Sequence, residues 1–325
     1  MQPPIRWGMI GCGDVTERKS GPAYRLATGS TLAGVAARRP EAAADYARRH
    51  GVPRVFDDIG AMIESADIDA VYVATPPDSH ADYALAVAAA GKPCCVEKPI
   101  APNSIAAQRM VAAFDAARRP LFVAYYRRAL PRFDQVRHWL SADAIGAVRH
   151  VQWTLTRAAK PPEAGGWRVA PETAPGGYFD DLACHGLDLF DDLLGPIAGA
   201  SGVTHNQTGI GRVPDAVAAS WRHDSGVTGT GIWNFASDGV RDAVTIIGDR
   251  GQIDFAIFDE ADVTLRSTET TASVAIANPD PIQLHHVERM TAQLLGGPAY
   301  SATGHAAIRT ARVMDAILGV GEERL

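Results

Sequence analysis

Apolar runs without internal alternation recur along the first 125 residues, and an amphipathic segment follows each of them. The runs predict buried strands from residue 5 to the glycines at 11–13 and at 31–37, 54–56, 69–74, 93–96 and 121–125. The segments between them predict helices at about 14–27, 41–49, 59–65, 79–90 and 103–117. This alternation is typical of a doubly wound parallel sheet that helices cover on both faces, as in a Rossmann domain.

The pattern changes after Tyr125. A helix is predicted to about Leu140, then an alternating strand at 148–157 and a loop rich in proline and glycine at 160–177. Further strands are predicted near 198–205, 216–222, 228–235, 242–247, 252–256 and 263–267, and helices near 185–194, 283–295 and 305–318. Strands in succession predict an α+β domain with a large, mostly antiparallel open sheet. We therefore place a Rossmann domain at 1–124 and a second domain at 125–325.

The composition is that of an ordinary globular protein, with 46% hydrophobic and 21% charged residues. A net charge of -6 without long basic runs argues against a nucleic-acid surface. We expect no membrane span and no signal peptide, because no sufficiently long apolar stretch occurs. The cysteines lack the spacing of a zinc site or a disulfide framework, which favours reduced thiols and a cytoplasmic location. They are Cys12, Cys94, Cys95 and Cys184.

A glycine turn follows the first predicted strand. Gly11 can form the tight turn, Gly13 has no Cβ to hold a pyrophosphate away, and the amides that open the next helix attract negative charge. A simple structural turn is the alternative, and Thr16 stands where the dinucleotide fingerprint has a third Gly or Ala. The predicted phosphate site comprises Gly11, Cys12, Gly13, Asp14 and Val15.

Ligands of doubly wound sheets bind at the carboxyl ends of the strands. The second strand ends in Ala37, Arg38 and Arg39, which offer the adenosine ribose no carboxylate but offer a 2′-phosphate two guanidinium groups. This favours NADP, with NAD as the alternative cofactor. The alternative interpretation of the two arginines is a solvated pair at a helix start. The other strand ends add the predicted cofactor contacts Thr75, Pro76, Pro77, His80, Glu97 and Lys98.

These motifs resemble the Gfo/Idh/MocA family, which includes glucose-fructose oxidoreductase and inositol 2-dehydrogenase. In the first half the resemblance rests on residues 11–13, on 74–77 with His80, and on 91–93 leading to Glu97-Lys98-Pro99. In the second half, two glycines at 176–177 precede an Asp-x-x-x-His-x-x-Asp pattern, with Ala183 where many members have glycine. That pattern comprises Asp181, His185 and Asp188. The resemblance covers nearly the whole chain.

The resemblance implies catalytic roles for Lys98, Asp181 and His185. Lys98 follows an apolar strand, and partial desolvation would let it exchange a proton near neutrality; a surface lysine is the alternative. Asp181 and His185 share a face if the helix has begun by Asp181, although His185 can also be a satisfied core residue. A metal site that includes Asp188 lacks a second histidine at a fitting spacing, so we predict no metal.

The implied reaction is hydride transfer between NADP and a carbinol or carbonyl carbon of a sugar, cyclitol or related polyol, and a trans-dihydrodiol also fits. His185 would take the hydroxyl proton, Lys98 would stabilise the alkoxide and Asp181 would fix the hydroxyl. Whether Lys98 or His185 is the terminal proton carrier stays open. The candidate substrate contacts are Tyr126, Arg128, Trp167 and Arg168.

Two other functions remain open from the sequence. Some relatives of this family hydrolyse glycosidic bonds with a tightly held cofactor, and a binding module that senses NADP is the second rival. The family resemblance also implies face-to-face association of the open sheets, and hence a homodimer or homotetramer.

Overall fold

A six-stranded parallel sheet lies at the centre of the first of two units into which the chain divides. The computed structural model describes residues 3–159 and 166–320. The first unit comprises the chain up to Ala101 together with Ile105–Leu130 and Pro279–Ile308. The second comprises Pro102–Ser104, Pro131–Asn278 and the chain from Arg309.

The strands of the parallel sheet are short, and β4, β5 and β6, whose bounds follow, are buried throughout. They are β1 (Ile5–Ile10), β2 (Ser30–Ala36), β3 (Arg54–Val55), β4 (Ala70–Val73), β5 (Cys94–Val96) and β6 (Leu121–Val123). Their spatial order is β3-β2-β1-β4-β5-β6, so the order reverses between β1 and β4. Ligands bind beside such a reversal, at the carboxyl ends of the strands. The Rossmann fold predicted from the sequence is confirmed.

The helices of this part of the chain follow the strands in turn. They are α1 (Asp14–Arg18), α2 (Gly21–Leu26), α3 (Pro40–His50), α4 (Ile59–Glu64), α5 (His80–Ala89) and α6 (Ser104–Ala117). The prediction of one helix over 14–27 is wrong, because the chain breaks between α1 and α2. Pro22 has no N–H to continue the helical ladder, and the Tyr46 hydroxyl donates to the Thr16 carbonyl at 3.0 Å.

The second unit is built on an eight-stranded sheet with α7 (Pro131–Ser141) and α8 (Tyr178–Leu194). Its strands are β7 (Val148–Ala158), β8 (Ile197–His205), β9 (Ala216–His223), β10 (Thr228–Ser237), β11 (Arg241–Gly248), β12 (Gly251–Phe255), β13 (Val263–Ser267) and β14 (Thr271–Val274). The order is β14-β13-β12-β11-β7-β10-β9-β8, and all neighbours are antiparallel except β7 and β10. The mostly antiparallel sheet is therefore confirmed. β14 was not predicted, because its polar residues alternate with apolar ones and form no apolar run.

One face of this sheet packs against α8 through aromatic side chains. Trp153 lies edge-on to Phe190, with ring centroids 6.0 Å apart, and Trp233 lies edge-on to Phe179 at 5.0 Å. On the opposite face, Ile232 is 51% exposed and Val203 is 71% exposed. They lie on β10 and β8, the two strands that flank β9. This is the face on which the sequence analysis expects a second copy to associate.

The chain returns to the first unit near its end. α9 (Leu284–Leu294) lies there, and α10 (Gly304–Leu318) follows it. Val287, Met290 and Tyr300 are buried in the same core as Trp7 and Tyr72. Residues 279–308 fall within the predicted second domain, but their apolar side chains belong to the core of the first unit. Within the described ranges, no helix is long and apolar enough to cross a membrane.

Candidate active site

The turn between β1 and α1 depends on a backbone conformation that suits glycine. Gly11 has a φ of 99°, and a Cβ there would lie 2.9 Å from the carbonyl oxygen of Ala74. At Gly13 a Cβ would meet no protein atom within 4 Å. The Thr16 hydroxyl donates to the Gly13 carbonyl at 2.7 Å. Thr16 therefore stabilises the turn at the position where the fingerprint has a small residue.

A cavity of about 460 Å³ opens beside this turn, at the reversal of strand order. It is lined by Ile10, Gly11, Cys12, Gly13, Ala37, Arg38, Arg39, Ala42, Ile59, Ala74, Thr75 and Pro76. Burial raises the pKa of the Cys12 thiol to about 11, so the thiol is neutral at physiological pH and adds no negative charge to the cavity. The cavity thus brings together three of the predicted strand ends.

Arg38 and Arg39 are exposed at the rim of this cavity, where α3 begins. Neither side chain forms an ion pair with any carboxylate in the described part of the chain. Ala37, at the end of β2, adds no carboxylate. The rim is therefore positively charged and open, which fits a phosphate group better than a neutral hydroxyl.

Six predicted cofactor residues do not line the cavity: Asp14, Val15, Pro77, His80, Glu97 and Lys98. His80 is fully buried, and its ring nitrogens lie 2.7 Å from the Thr75 carbonyl oxygen and 3.1 Å from that of Pro99. Burial lowers the pKa of His80. His80 lies between the loops after β4 and β5, with one ring nitrogen beside the backbone of each.

Glu97 and Lys98 follow β5, where hydrogen bonds that the sequence does not predict hold them in place. The Glu97 carboxylate is 5% exposed and accepts hydrogen bonds from the Tyr72 hydroxyl at 2.7 Å and from Gln283 Nε2 at 3.1 Å. The Lys98 backbone N–H donates to the same carboxylate at 3.2 Å. Three segments distant in sequence thus fix the backbone at half-buried Lys98.

In the second unit, α8 begins at Tyr178, so Asp181 and His185 lie in an unbroken helix with four-residue spacing. Both side chains are buried. Asp181 accepts a hydrogen bond from Arg168 Nε at 2.6 Å. The imidazole of His185 lies edge-on to the Phe258 ring, with centroids 5.8 Å apart. Because the helix has begun by Asp181, Asp181 and His185 share one of its faces.

The Asp180 carboxylate, which was not among the predicted site residues, supports the glycine turn before α8. Gly177 has a φ of 63°, and the Gly176 N–H donates to Asp180 at 2.7 Å. Burial, aided by the nearby charges of Asp315 and Asp181, raises the pKa of Asp180 to about 7. Asp180 therefore supports the turn, whereas its neighbour Asp181 lines a cavity.

That second cavity measures about 270 Å³. It is lined by Arg157, Ala158, Ala159, Gly166, Arg168, Val169, Tyr178, Asp181, Leu182, Thr208, Ile210, Val213, Pro214, Asp215 and Phe235. Predicted residues Asp181 and Arg168 meet here, and the Trp167 ring lies 4.6 Å from the Arg168 guanidinium carbon. The predicted loop at 160–177 lies partly outside the described residues, which resume at 166.

Tyr126 and Arg128 line neither cavity. Both are buried in the first unit, where Arg128 donates to the Ser301 carbonyl at 3.3 Å. No group of three His, Cys, Asp or Glu side chains among residues 3–159 and 166–320 is arranged to hold a metal ion.

Comparison with known families covers both halves of the chain. Residues 5–125 match an oxidoreductase family with an NAD-binding Rossmann fold, and residues 133–254 match the GFO/IDH/MocA C-terminal domain. The chain belongs to the Gfo/Idh/MocA family of oxidoreductases. The family resemblance inferred from the motifs is thereby confirmed.

Individual Gfo/Idh/MocA relatives agree with this assignment. Oxidoreductase P35 of Formosa agariphila is 32% identical over 98% of this chain and all of its own length. Inositol 2-dehydrogenase of Rhizobium meliloti is 32% identical over 59% of this chain and 55% of its own. A solved levoglucosan dehydrogenase, in complex with NADH and levoglucosan, superposes with a TM-score of 0.84 at 23% identity over 97% of this chain and 96% of its own. This Gfo/Idh/MocA protein is thus an NAD(P)-dependent oxidoreductase.

Alanine at the two glycines of the turn is expected to have opposite effects. Gly11→Ala should lower the free energy of unfolding by about 1–3 kcal/mol, because φ is positive and the Cβ meets a carbonyl. Gly13→Ala should leave stability unchanged, since its Cβ points into open space, but weaken cofactor binding about tenfold or more. Thermal denaturation with and without NADP measures both effects. Unchanged cofactor binding in Gly13→Ala would show that the pyrophosphate does not approach this residue.

Proposed function

We propose that this enzyme transfers a hydride between NADP and a carbinol or carbonyl carbon of a sugar, cyclitol or related polyol. The observation that carries the proposal is the cavity at the glycine turn, whose rim presents two arginines without carboxylate partners in the described chain. The relatives named for inositol and levoglucosan support the substrate class. When bound, the nicotinamide ring supplies the hydride donor or acceptor.

The proposal assigns three residues to the chemistry at the substrate hydroxyl. In the oxidative direction, His185 Nε2 or Nδ1 accepts the hydroxyl proton, and the Lys98 ammonium stabilises the developing alkoxide. Asp181 fixes the geometry of that hydroxyl by accepting a hydrogen bond from a neighbouring hydroxyl of the substrate. The same carboxylate accepts a hydrogen bond from Arg168 Nε at 2.6 Å, which holds it in position. Reduction reverses the same proton transfers.

NADP is expected to stabilise the protein more than NAD does, and Arg38 together with Arg39 is expected to be the reason. A charge-assisted hydrogen bond to the 2′-phosphate contributes about 1.5–3 kcal/mol, or ten- to a hundredfold in affinity. Exposure of the arginine and added salt reduce this gain. The measurement is the melting temperature with each cofactor at one concentration, at low and high salt.

Arg38→Ala should narrow the difference between the two cofactors while leaving stabilisation by NAD nearly unchanged. Arg25→Ala is the matched control, because Arg25 is exposed on α2 and does not line the cavity. Equal stabilisation of the parent by both cofactors, or greater stabilisation by NAD, would refute the assignment of NADP. Hydride transfer itself is followed by nicotinamide absorbance with a panel of sugars, cyclitols, their keto forms and aromatic dihydrodiols.

A further inference from the structure

Arg157 stands near the end of β7 and lines the 270 Å³ cavity together with Asp181. Its Nε is buried and has no hydrogen-bond acceptor among the described residues. The same part of the chain offers its guanidinium group no carboxylate partner. A buried donor of a permanently charged group is costly to leave unpaired, so the position indicates an acceptor that arrives with a ligand.

The other charged groups of this cavity already have hydrogen-bond partners in the protein. Arg168 pairs with Asp181 at 2.6 Å. Asp215 accepts hydrogen bonds from the backbone N–H groups of Gln207 and Thr208 at 2.7 and 3.0 Å, and from the Thr208 hydroxyl at 2.6 Å. Burial opposes ionisation of Asp215, but these hydrogen bonds outweigh it and lower its pKa. Arg157 is therefore the charged residue of the lining whose buried donor, Nε, lacks an acceptor among the described residues.

Phe258 contacts both Arg157 and His185, the proposed proton acceptor. The Arg157 guanidinium carbon lies 5.2 Å from the centroid of the Phe258 ring, and the His185 ring contacts the same aromatic ring. A guanidinium group against an aromatic face is held in a defined plane. Arg157 is thus fixed close to the helix that carries Asp181 and His185.

We propose that Arg157 binds a carboxylate of the substrate, and that the enzyme acts on acidic sugars such as uronates and aldonates. This inference rests on the proposed function, whose substrate class it narrows. A carboxylate matches the planar fork of arginine through two parallel hydrogen bonds and supplies the acceptor that Arg157 Nε lacks. A neutral polyol offers single hydroxyl acceptors, which do not match both arms of that fork.

The test compares acids with matched neutral compounds in the oxidative direction. The pairs are D-glucuronate with D-glucose, D-galacturonate with D-galactose, and D-gluconate with D-glucitol, each assayed with NADP and NAD. We expect the acid of at least one pair to have a kcat/KM at least about tenfold higher than its neutral partner. A higher kcat/KM for D-glucose 6-phosphate than for any acid would overturn the assignment of a carboxylate.

Arg157→Met should lower the ratio of kcat/KM for the acid to that for its neutral partner by about ten- to a hundredfold. Arg157→Lys, which keeps the charge but loses the planar fork, should restore part of that ratio. Arg149→Met is the matched control, since Arg149 lies on the same strand, is 63% exposed and pairs with Asp249. It should leave the ratio within about twofold of the parent.

Calorimetric titration of D-glucuronate, D-galacturonate and D-gluconate into the protein with bound NADP separates this inference from the proposed function. If the parent turns over neutral compounds at least as well as acids, and Arg157→Met does not change the ratio, the inference is wrong while the proposed function stands. If no compound is turned over, the proposed function fails. Binding of an acid that Arg157→Met abolishes then still supports the carboxylate site, and no binding overturns it.

Discussion

Replacing Lys98 with methionine is expected to reduce turnover by about a hundredfold or more, as loss of a positioned acid–base group does. Methionine keeps the apolar stem that half-buried Lys98 packs against its surroundings but removes the ammonium group. The backbone there is fixed by the Glu97 carboxylate, which Tyr72 and Gln283 hold independently of the lysine side chain. The variant should therefore fold and bind NADP like the parent.

Steady-state rates and NADP-dependent melting temperatures separate these two effects. Lys19→Met is the control, because Lys19 is an exposed lysine at the end of α1. It should retain parental turnover. If Lys98→Met works within a few-fold of the parent, Lys98 has no part in the proton transfer.

His185→Ala and Asp181→Ala are each expected to reduce turnover by about a hundredfold or more. Their side chains lie four residues apart in α8, and the proposal has both act on one substrate hydroxyl. The double variant should therefore lose less than the product of the two single losses. Asp181→Ala also frees Arg168 from its ion pair, so the KM should change together with kcat in that variant.

The measurement is a double-mutant cycle on kcat/KM, with thermal denaturation of all variants to show that they fold. Glu172→Ala is the matched control for the acid, since Glu172 is 70% exposed and pairs with exposed Arg212. Fully multiplicative losses would mean that His185 and Asp181 act on independent steps.

Most of the fold follows from local sequence pattern. The strands β4, β5 and β6 are buried throughout, so an apolar run such as 70–73 marks each of them within a residue or two. The pattern fails where a distant residue decides the outcome. The break at Lys19 depends on Tyr46 as well as on nearby Pro22, and the place of α9 in the first unit depends on a core that its own sequence does not reveal.

In the candidate sites too, local sequence pattern predicts some residues, whereas others depend on contacts that are distant in sequence. Gly11, Gly13 and Arg38 follow directly from strand ends, so their grouping around one cavity could be predicted from chain order alone. Arg157 was not predicted as a site residue, because it lies near the end of an ordinary alternating strand. Only the cavity and the contact with the Phe258 ring indicate a role for it. Tyr72 and Gln283 were missed because they lie 25 and 186 residues from Glu97 along the sequence.

The late return of residues 279–308 to the first unit affects how the protein is made. Synthesis proceeds at about 5–20 residues per second, so the ribosome needs on the order of ten seconds or more between finishing β6 and delivering α9. Until then, the surface that Val287, Met290 and Tyr300 will cover stays open to water or to chaperones. The nucleotide-binding half therefore matures almost last, although most of it emerges first. Fragments that stop after Leu130 would carry the glycine turn without the late side chains that complete the core of this unit.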